Sequence, residues 1–444
     1  MKILLVHQNF PGQFLYLARY LRTLPGVTVM GIGEKVNIQK RGTINGLVTL
    51  GYKTPRGAGE KTHPYLQFPE ASVRRGQAVA RGLMHMKQQG LVPDVILAHP
   101  GWGEALFVRD VFPDTPLVLF CEFFFRPREA DMSFDPEYPC SFEQQASVKI
   151  RNSVQTTSFM DANALISPTH WQASRYPKFF QSFMNIIHEG VDTALVTPEG
   201  RASISLVQGE DGNCTVLEAD TAGRGAAASV PDGPVLTLSR GQKVLTYVAR
   251  NLEPYRGFHR FLRALPAIQS KHPDLHTIIV GGNEVSYSPH LPAGRTYKQQ
   301  VLEPLRDSLD LSRVHFTGRV SYTNLLSIYR MSSAHVYLTY PFVLSWSLLE
   351  VMAAGGLVIG SRTSPVEEVV THGANGLLVD FFDRDALVDT VHEALLYPEK
   401  FGELRRAARQ TIVDKYEQKH CLEKQMALLA SVCGGNLPTI GSTE

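Results

Sequence analysis

Two arginines, Arg250 and Arg256, stand six positions apart in the stretch RNLEPYRGF (250–258), between a compact apolar run at 244–248 and a helical pattern over 258–270. A strand that feeds a glycine-bearing loop and then a helix is where an open α/β sheet binds phosphate groups. Guanidinium is permanently charged and makes two-pronged contacts, so the pair suits a diphosphate, although either arginine alone also fits a solvated loop. A carboxyl group marks a second strand–helix junction: Glu350 lies inside the apolar stretch YPFVLSWSLLEVMAAGG (340–356). Burial of a carboxyl without partners is costly, which gives Glu350 a polar task. The amides around Leu344 and Ser345 open that helix, and their positive end suits an anion. In the first half, His99 closes an apolar run and begins HPGWG (99–103), whose glycines permit close approach; a lone histidine is also commonly a satisfied structural residue. The run CEFFFR (121–126), continuing to Asp131, Asp135 and Glu137, either lines a binding site or forms core with a charged rim. The 15 histidines are dispersed and no Asp-x-Asp element stands out, so no metal site is expected.

These residues need a scaffold of short strands alternating with helices. Strands are expected at 2–7, 27–33, 94–99, 117–121 and 164–167, with an extra strand in 43–53 and a helix over 71–89 exposing Arg74, Arg75, Arg81 and Lys87. In the second half the runs at 244–248, 277–280, 314–317, 336–339, 357–360 and 377–379 alternate with helices such as 258–270, 322–332, 345–354 and 384–396. Such spacing suits parallel neighbours, which require crossover connections. The expected organisation is a domain at 1–190, a linker with a variable, partly mobile insertion at 191–243, a domain at 244–400, a helical segment at 401–433 that packs back on the first half, and a loose tail at 434–444.

The chain has 444 residues, 43% apolar and 19% charged, as in an ordinary globular protein of two to three domains. Lys plus Arg is 44 against 42 for Asp plus Glu, so no global field favours nucleic acid. The five cysteines, Cys121, Cys140, Cys214, Cys421 and Cys433, are scattered and read as reduced thiols in a cytoplasmic chain. The first strand follows Lys2 directly, so no signal peptide is expected, and no apolar run nears the roughly 20 residues that span a bilayer. Peripheral contact at the inner face of a membrane stays open, through the basic helix at 71–89.

Several stretches together resemble the retaining family-4 glycosyltransferases (glycosyl transferases group 1). Ala249-Arg250 and Arg256-Gly257 fit that family's small-residue–Arg and Lys–Gly element, with arginine in place of lysine. The 340–356 stretch is similar to its two-glutamate signature: Glu350 holds the second position, and Phe342, eight residues earlier, departs from the first. SPVEEVVTHGANG (364–376) resembles a second signature with Glu368 as its glutamate, and FTGRV (316–320) a loop on which the nucleotide base rests, with Gly318 and Arg319. HPGWG matches a His-x-x-Trp element, and Pro11-Gly12-Gln13 a glycine-bearing loop near the reacting groups.

The resemblance implies an α/β GT-B fold, two Rossmann-like doubly wound domains facing across a cleft, with donor on the second and acceptor on the first. It implies that Glu350 and Glu368 bind the nucleotide sugar, a carboxylate being able to accept both hydroxyls of a vicinal diol. Leu344, Ser345, Gly318, Arg319 and Gly12 complete the donor site, and Arg250, Arg256 and His99 act on the reacting groups. The implied reaction is metal-independent transfer with retention from a UDP- or GDP-type sugar to a saccharide, lipid-linked or protein acceptor. No cofactor beyond the donor is implied. Phe342 cannot accept a hydroxyl proton, so the sugar is gripped elsewhere, is less hydroxylated, or activity is lost. The alternatives are an epimerase of the same fold and a catalytically impaired nucleotide-sugar-binding module. A dinucleotide oxidoreductase is disfavoured because the first strand–helix turn lacks G-x-G-x-x-G.

Overall fold

The computed structural model describes residues 1–128, 130–218 and 233–434. Two compact units divide them: Met1–Gly190 with the chain from Gln418 onward, and Val191–Glu417.

The first unit is built on β1 (Lys2–Val6), β2 (Thr28–Glu34), β3 (Val48–Tyr52), β4 (Val95–Ala98), β5 (Leu117–Phe120), β6 (Ala164–Ser167) and β7 (Met184–Ile186). They pair in the order β3-β2-β1-β4-β5-β6-β7, all parallel. A parallel sheet is covered on both faces, so its strands are apolar throughout. In β1, Leu4 and Val6 join Val79, Leu83 and Ile96 on one face, while Ile3 and Leu5 join Phe14, Leu17 and Leu97 on the other. Strand order reverses between β1 and β4, the switch point at which such sheets bind ligands beyond their carboxyl ends. The helix expected at 71–89 runs over Gln67–Gln88. Arg81 and Lys87 are exposed on it, but Arg74 and Arg75 are half-buried, and Glu70 one turn earlier pairs with Arg74. The basic face is therefore smaller than the sequence suggests.

The second unit carries β11 (Val244–Asn251), β12 (His276–Gly282), β13 (Val314–Gly318), β14 (Ala334–Tyr337), β15 (Val358–Ser361) and β16 (Leu377–Val379). Their order, β13-β12-β11-β14-β15-β16, is again wholly parallel, with its switch point between β11 and β14. A small antiparallel sheet precedes it in the chain: β8 (Ser203–Gln208), β9 (Cys214–Val216) and β10 (Val235–Ser239), ordered β10-β8-β9. Ile204, Leu206 and Leu238 share a core with Val244, Ile278 and Ile328, so the segment expected to be a linker is packed into the second unit. The part of that insertion at 219–232 and the tail from 435 lie outside the described residues.

The helical segment expected at 401–433 is two helices, Gly402–Tyr416 and Gln418–Val432. They part at Glu417, whose backbone (φ −59°, ψ 133°) is not helical. The break lets each apolar face serve a different core. Ala408 and Ile412 pack with Leu348 and Met352 of the second unit. Leu422, Met426 and Leu429 pack with Leu17, Val29 and Leu97 of the first. Leu429 is fully buried, so Leu429→Ala should cost about 2–4 kcal/mol of the first unit's stability in denaturant unfolding. A cost under about 1 kcal/mol would show that this helix is not part of that core.

Candidate functional site

In the second unit the site forms where β11 and β14 diverge. The chain leaves β11, makes a short turn at Pro254–Arg256, and enters the helix Phe258–Lys271 through Gly257. Gly257 has φ +67°, and a Cβ there would lie 2.3 Å from Leu338 Cβ, so this tight entry requires glycine. The turn buries Arg256 (8% exposed). Its Nη1 donates to Thr339 Oγ1 (2.9 Å) and to the Val343 carbonyl (2.9 Å), with a longer contact to the Tyr337 hydroxyl at 3.5 Å. The Tyr247 hydroxyl donates to the Arg256 carbonyl at 2.7 Å and fixes the turn from below. Among the described residues no carboxylate pairs with this guanidinium; its partners are hydroxyls and a carbonyl.

Phe342 lies beside it, 3% exposed, with its ring 5.8 Å from the Arg256 guanidinium and 4.7 Å from the Tyr287 ring. Tyr255 contacts Phe342 edge-on at 5.5 Å. Tyr287 also reaches the exposed Arg250, whose Nη1 is 3.5 Å from its hydroxyl. Arg250, Arg256 and Phe342 are thus gathered around one tyrosine. A buried carboxylate holds that tyrosine's loop: Glu253 Oε2 accepts the backbone N–H groups of Ser286 (3.2 Å), Tyr287 (3.0 Å) and Ser288 (2.9 Å). Neither Glu253 nor Tyr287 was singled out by sequence. Glu253 could have been noticed as an acidic residue between the two arginines, whereas Tyr287 has no local signal.

Ser345 caps the helix Trp346–Ala353, accepting from the Ser347 amide, and its own amide donates to the Tyr337 hydroxyl at 2.8 Å. Ser345 and Leu344 are therefore next to Arg256, through Tyr337 and Val343. Glu350 lies further along this helix, 7% exposed, and accepts from the Tyr322 hydroxyl (2.9 Å) and the Tyr329 hydroxyl (3.5 Å). Burial raises its pKa to about 7, partly offset by the two phenols. Gly318, at the end of β13, has φ +64° with open space on its Cβ side. Arg319 beside it is exposed and donates to Asn251 Oδ1 (3.2 Å) and Glu284 Oε2 (2.7 Å), which ties it to the end of β11. Glu368 is half-buried just after the helix Ser364–Glu367, while the exposed Glu367 lies 3.8 Å from Arg362.

In the first unit, His99 and Gly12 stand at the ends of β4 and β1. His99 is 3% exposed, stacked on Trp102 at 4.4 Å and 5.0 Å from the ring of His7. Gly12 has φ +51°, and a Cβ there would lie 2.5 Å from the His7 ring. The role of Gly12 is to admit His7, a residue sequence reasoning passed over.

The family profile described as Glycosyl transferase family 4 group matches residues 25–196, and that of Glycosyl transferases group 1 matches 234–411. The chain belongs to the group 1 glycosyltransferases. Among curated relatives, D-inositol 3-phosphate glycosyltransferase of Corynebacterium urealyticum is 29% identical over 157 residues, 34% of this chain and 35% of its own length. Spore coat protein SA of Bacillus subtilis is 25% identical over 196 residues, 42% of this chain and 48% of its own. The chain thus spans a third to a half of the length of these relatives. Solved structures match over nearly the whole chain. Sucrose-phosphate synthase of Thermosynechococcus elongatus has a TM-score of 0.67 at 14% identity, covering 98% of this chain and 100% of that one. HepE of Anabaena, solved with UDP-glucose, has a TM-score of 0.62 at 15% identity, covering 97% and 100%. The shared fold is the GT-B class, each unit a Rossmann-like α/β domain. No helix among the described residues of this glycosyltransferase family member is long and apolar enough to cross a membrane.

The raised pKa of Glu350 gives a stability signature of known sign. Its folded value of about 7 lies above the ordinary 4.5, so the folded state holds the proton more tightly. Its contribution is full below pH 4.5 and is lost progressively until the pH passes about 7. Between pH 4 and 8 this carboxyl should lower stability by on the order of 3 kcal/mol, and Glu350→Gln should remove that part of the slope. Unfolding curves of both proteins across this range check it; identical slopes would contradict burial of an ionisable Glu350.

Proposed function

We propose that this chain transfers a sugar, with retention and without a metal, from a nucleoside-diphosphate sugar of UDP or GDP type to a saccharide, lipid-linked or protein acceptor. The observation that carries this reading is the buried Arg256, held by neutral groups at the switch point of a parallel sheet with Arg250 beside it. A buried guanidinium without a carboxylate partner favours an incoming anion, and a diphosphate supplies one. Charge gathers on that diphosphate as the glycosidic bond to it breaks, so a fixed cation stabilises the transition state more than the ground state. The Ser345 helix start adds its amides to the same region. Glu350, already accepting from two phenol hydroxyls, has the chemistry to accept ribose hydroxyls, and the half-buried Glu368 is the second such contact.

The test is incubation with a panel of UDP- and GDP-sugars and acceptor extracts, with and without a chelator. Acceptor-dependent release of nucleoside diphosphate, unaffected by the chelator, supports the reading, and NMR of the product reports the anomeric configuration. An epimerised nucleotide sugar, or binding without turnover, overturns it. Arg256→Ala should lower turnover by roughly thirtyfold or more, equivalent to about 2 kcal/mol of lost charged contacts. Phe342→Glu would place a carboxylate against Arg256 and compete with the diphosphate. It should therefore reduce transfer about tenfold, and a gain in rate would show that the aromatic residue is not suited to this pocket.

A further inference from the structure

The two arginines of the second unit's site are held in different ways. Arg256 is buried and has fixed partners on the β14 side, Thr339 and the Val343 carbonyl. Arg250 is exposed, and among the described residues its one hydrogen bond is to the Tyr287 hydroxyl, at 3.5 Å from Nη1. A long exposed side chain with so little to hold it spreads over many rotamers, and ordering it on a ligand costs entropy. Where Arg250 points therefore depends on where Tyr287 stands. That ring also lies 5.7 Å from the Arg256 guanidinium, within reach of a cation–π contact. Tyr287 itself is only half-buried and belongs to a stretch after β12, residues 283–289, with no helix or strand. Something outside that stretch must fix it.

The fastening comes from the turn that carries Arg256. Glu253 Oε2 accepts the backbone N–H groups of Ser286, Tyr287 and Ser288 at 3.2, 3.0 and 2.9 Å. Asn251 Nδ2 donates to Ser286 Oγ at 2.7 Å, and the Tyr255 amide donates to Ser288 Oγ at 3.3 Å. Successive amides that converge on one point form a nest suited to an anion. Here the anion is Glu253, 1% exposed, so the nest is already filled and ties down its own loop. Hydrogen bonds to a carboxylate are among the strong ones, and burial excludes competing water. On its other side the same turn is tied to the chain after β14, where the Tyr340 amide donates to the Tyr255 carbonyl at 3.0 Å. Loss of Glu253 would therefore release Tyr287 and, through it, Arg250, while Arg256 keeps its own partners.

We propose that Glu253 is a positioning residue for diphosphate binding: by filling the 286–288 nest it fixes Tyr287, and Tyr287 orients Arg250 so that it meets the same diphosphate as Arg256. The proposal rests on the glycosyl-transfer reading for the identity of the anion, but its test does not need turnover. The probes are UDP and GDP, titrated calorimetrically into the full chain. Glu253→Ala and Arg250→Ala should each weaken binding of the nucleotide that binds about tenfold, and the double variant also about tenfold, because the carboxylate acts through that arginine. A merely structural loss would leave the two effects independent. Effects that multiply to about a hundredfold overturn the proposal, as does unchanged binding in Glu253→Ala. Tyr287→Phe keeps the ring and the loop and tests the same linkage if Glu253→Ala does not fold. It should weaken binding about threefold in the wild type and not at all in the Arg250→Ala background; equal weakening in both overturns the proposal. Binding of neither nucleotide by the wild type overturns the proposal and the transfer reading together. The expected pattern without acceptor-dependent release of nucleoside diphosphate supports the proposal and overturns the transfer reading alone.

Discussion

The guanidinium of Arg256 is the group around which the second unit's site is arranged. A charge this deeply buried must be hydrogen-bonded, and the partners all come from the one stretch that leaves β14: Tyr337 at the strand end, Thr339 just after it, and the Val343 carbonyl before the next helix. Those contacts hold the helix start at Ser345 in register with the turn at Pro254–Arg256. Gly257 lets the chain turn into its helix without colliding with Leu338, so the arginine's position is set by backbone that cannot easily shift. Glu253, three residues earlier, gathers the amides of 286–288 and so brings Tyr287 over Phe342.

The first unit solves the same geometric problem with histidines. Both sheets reverse strand order beside their first strand, and both place their unusual polar groups immediately after the diverging strands. Glycine stands beside each histidine because a side chain would occupy the volume of its ring: Gly12 against His7, Gly101 against His99. These glycines are spacing devices, and only at Gly12 is a left-handed backbone also involved.

Much of this was legible in the sequence because parallel strands, buried on both faces, leave continuous apolar runs, and each run named from the second half is a strand of the second sheet. The arginine pair and Glu350 were legible for the opposite reason, as polar groups where the local pattern is apolar or sharply turned. What could not be read are contacts between distant residues. Tyr322 lies 28 residues from Glu350 and the 286–288 loop over 30 from Glu253, and neither carries a periodic or motif signal. The split of the 401–433 helix at Glu417 was also hidden. Both halves are amphipathic and helical, and only the existence of two cores distinguishes them.

The arrangement of charges explains why Phe342 fits this site. The two buried carboxyl groups of this site are satisfied by something other than an arginine: Glu253 by three amides, Glu350 by two phenols and by partial protonation near neutrality. Arg256 in turn is satisfied by neutral oxygens. Neither carboxyl offsets the positive field of Arg256; the ion pair nearby, Glu284 with Arg319, is exposed. A carboxylate at position 342 would lie against the guanidinium and cancel part of that field, whereas a phenylalanine ring leaves it intact and contributes a cation–π contact at 5.8 Å. On this argument the residue at 342 and the neutral partners of Arg256 serve one electrostatic end, with the rings of Tyr255, Tyr287 and Phe342 forming an aromatic wall beside the guanidinium.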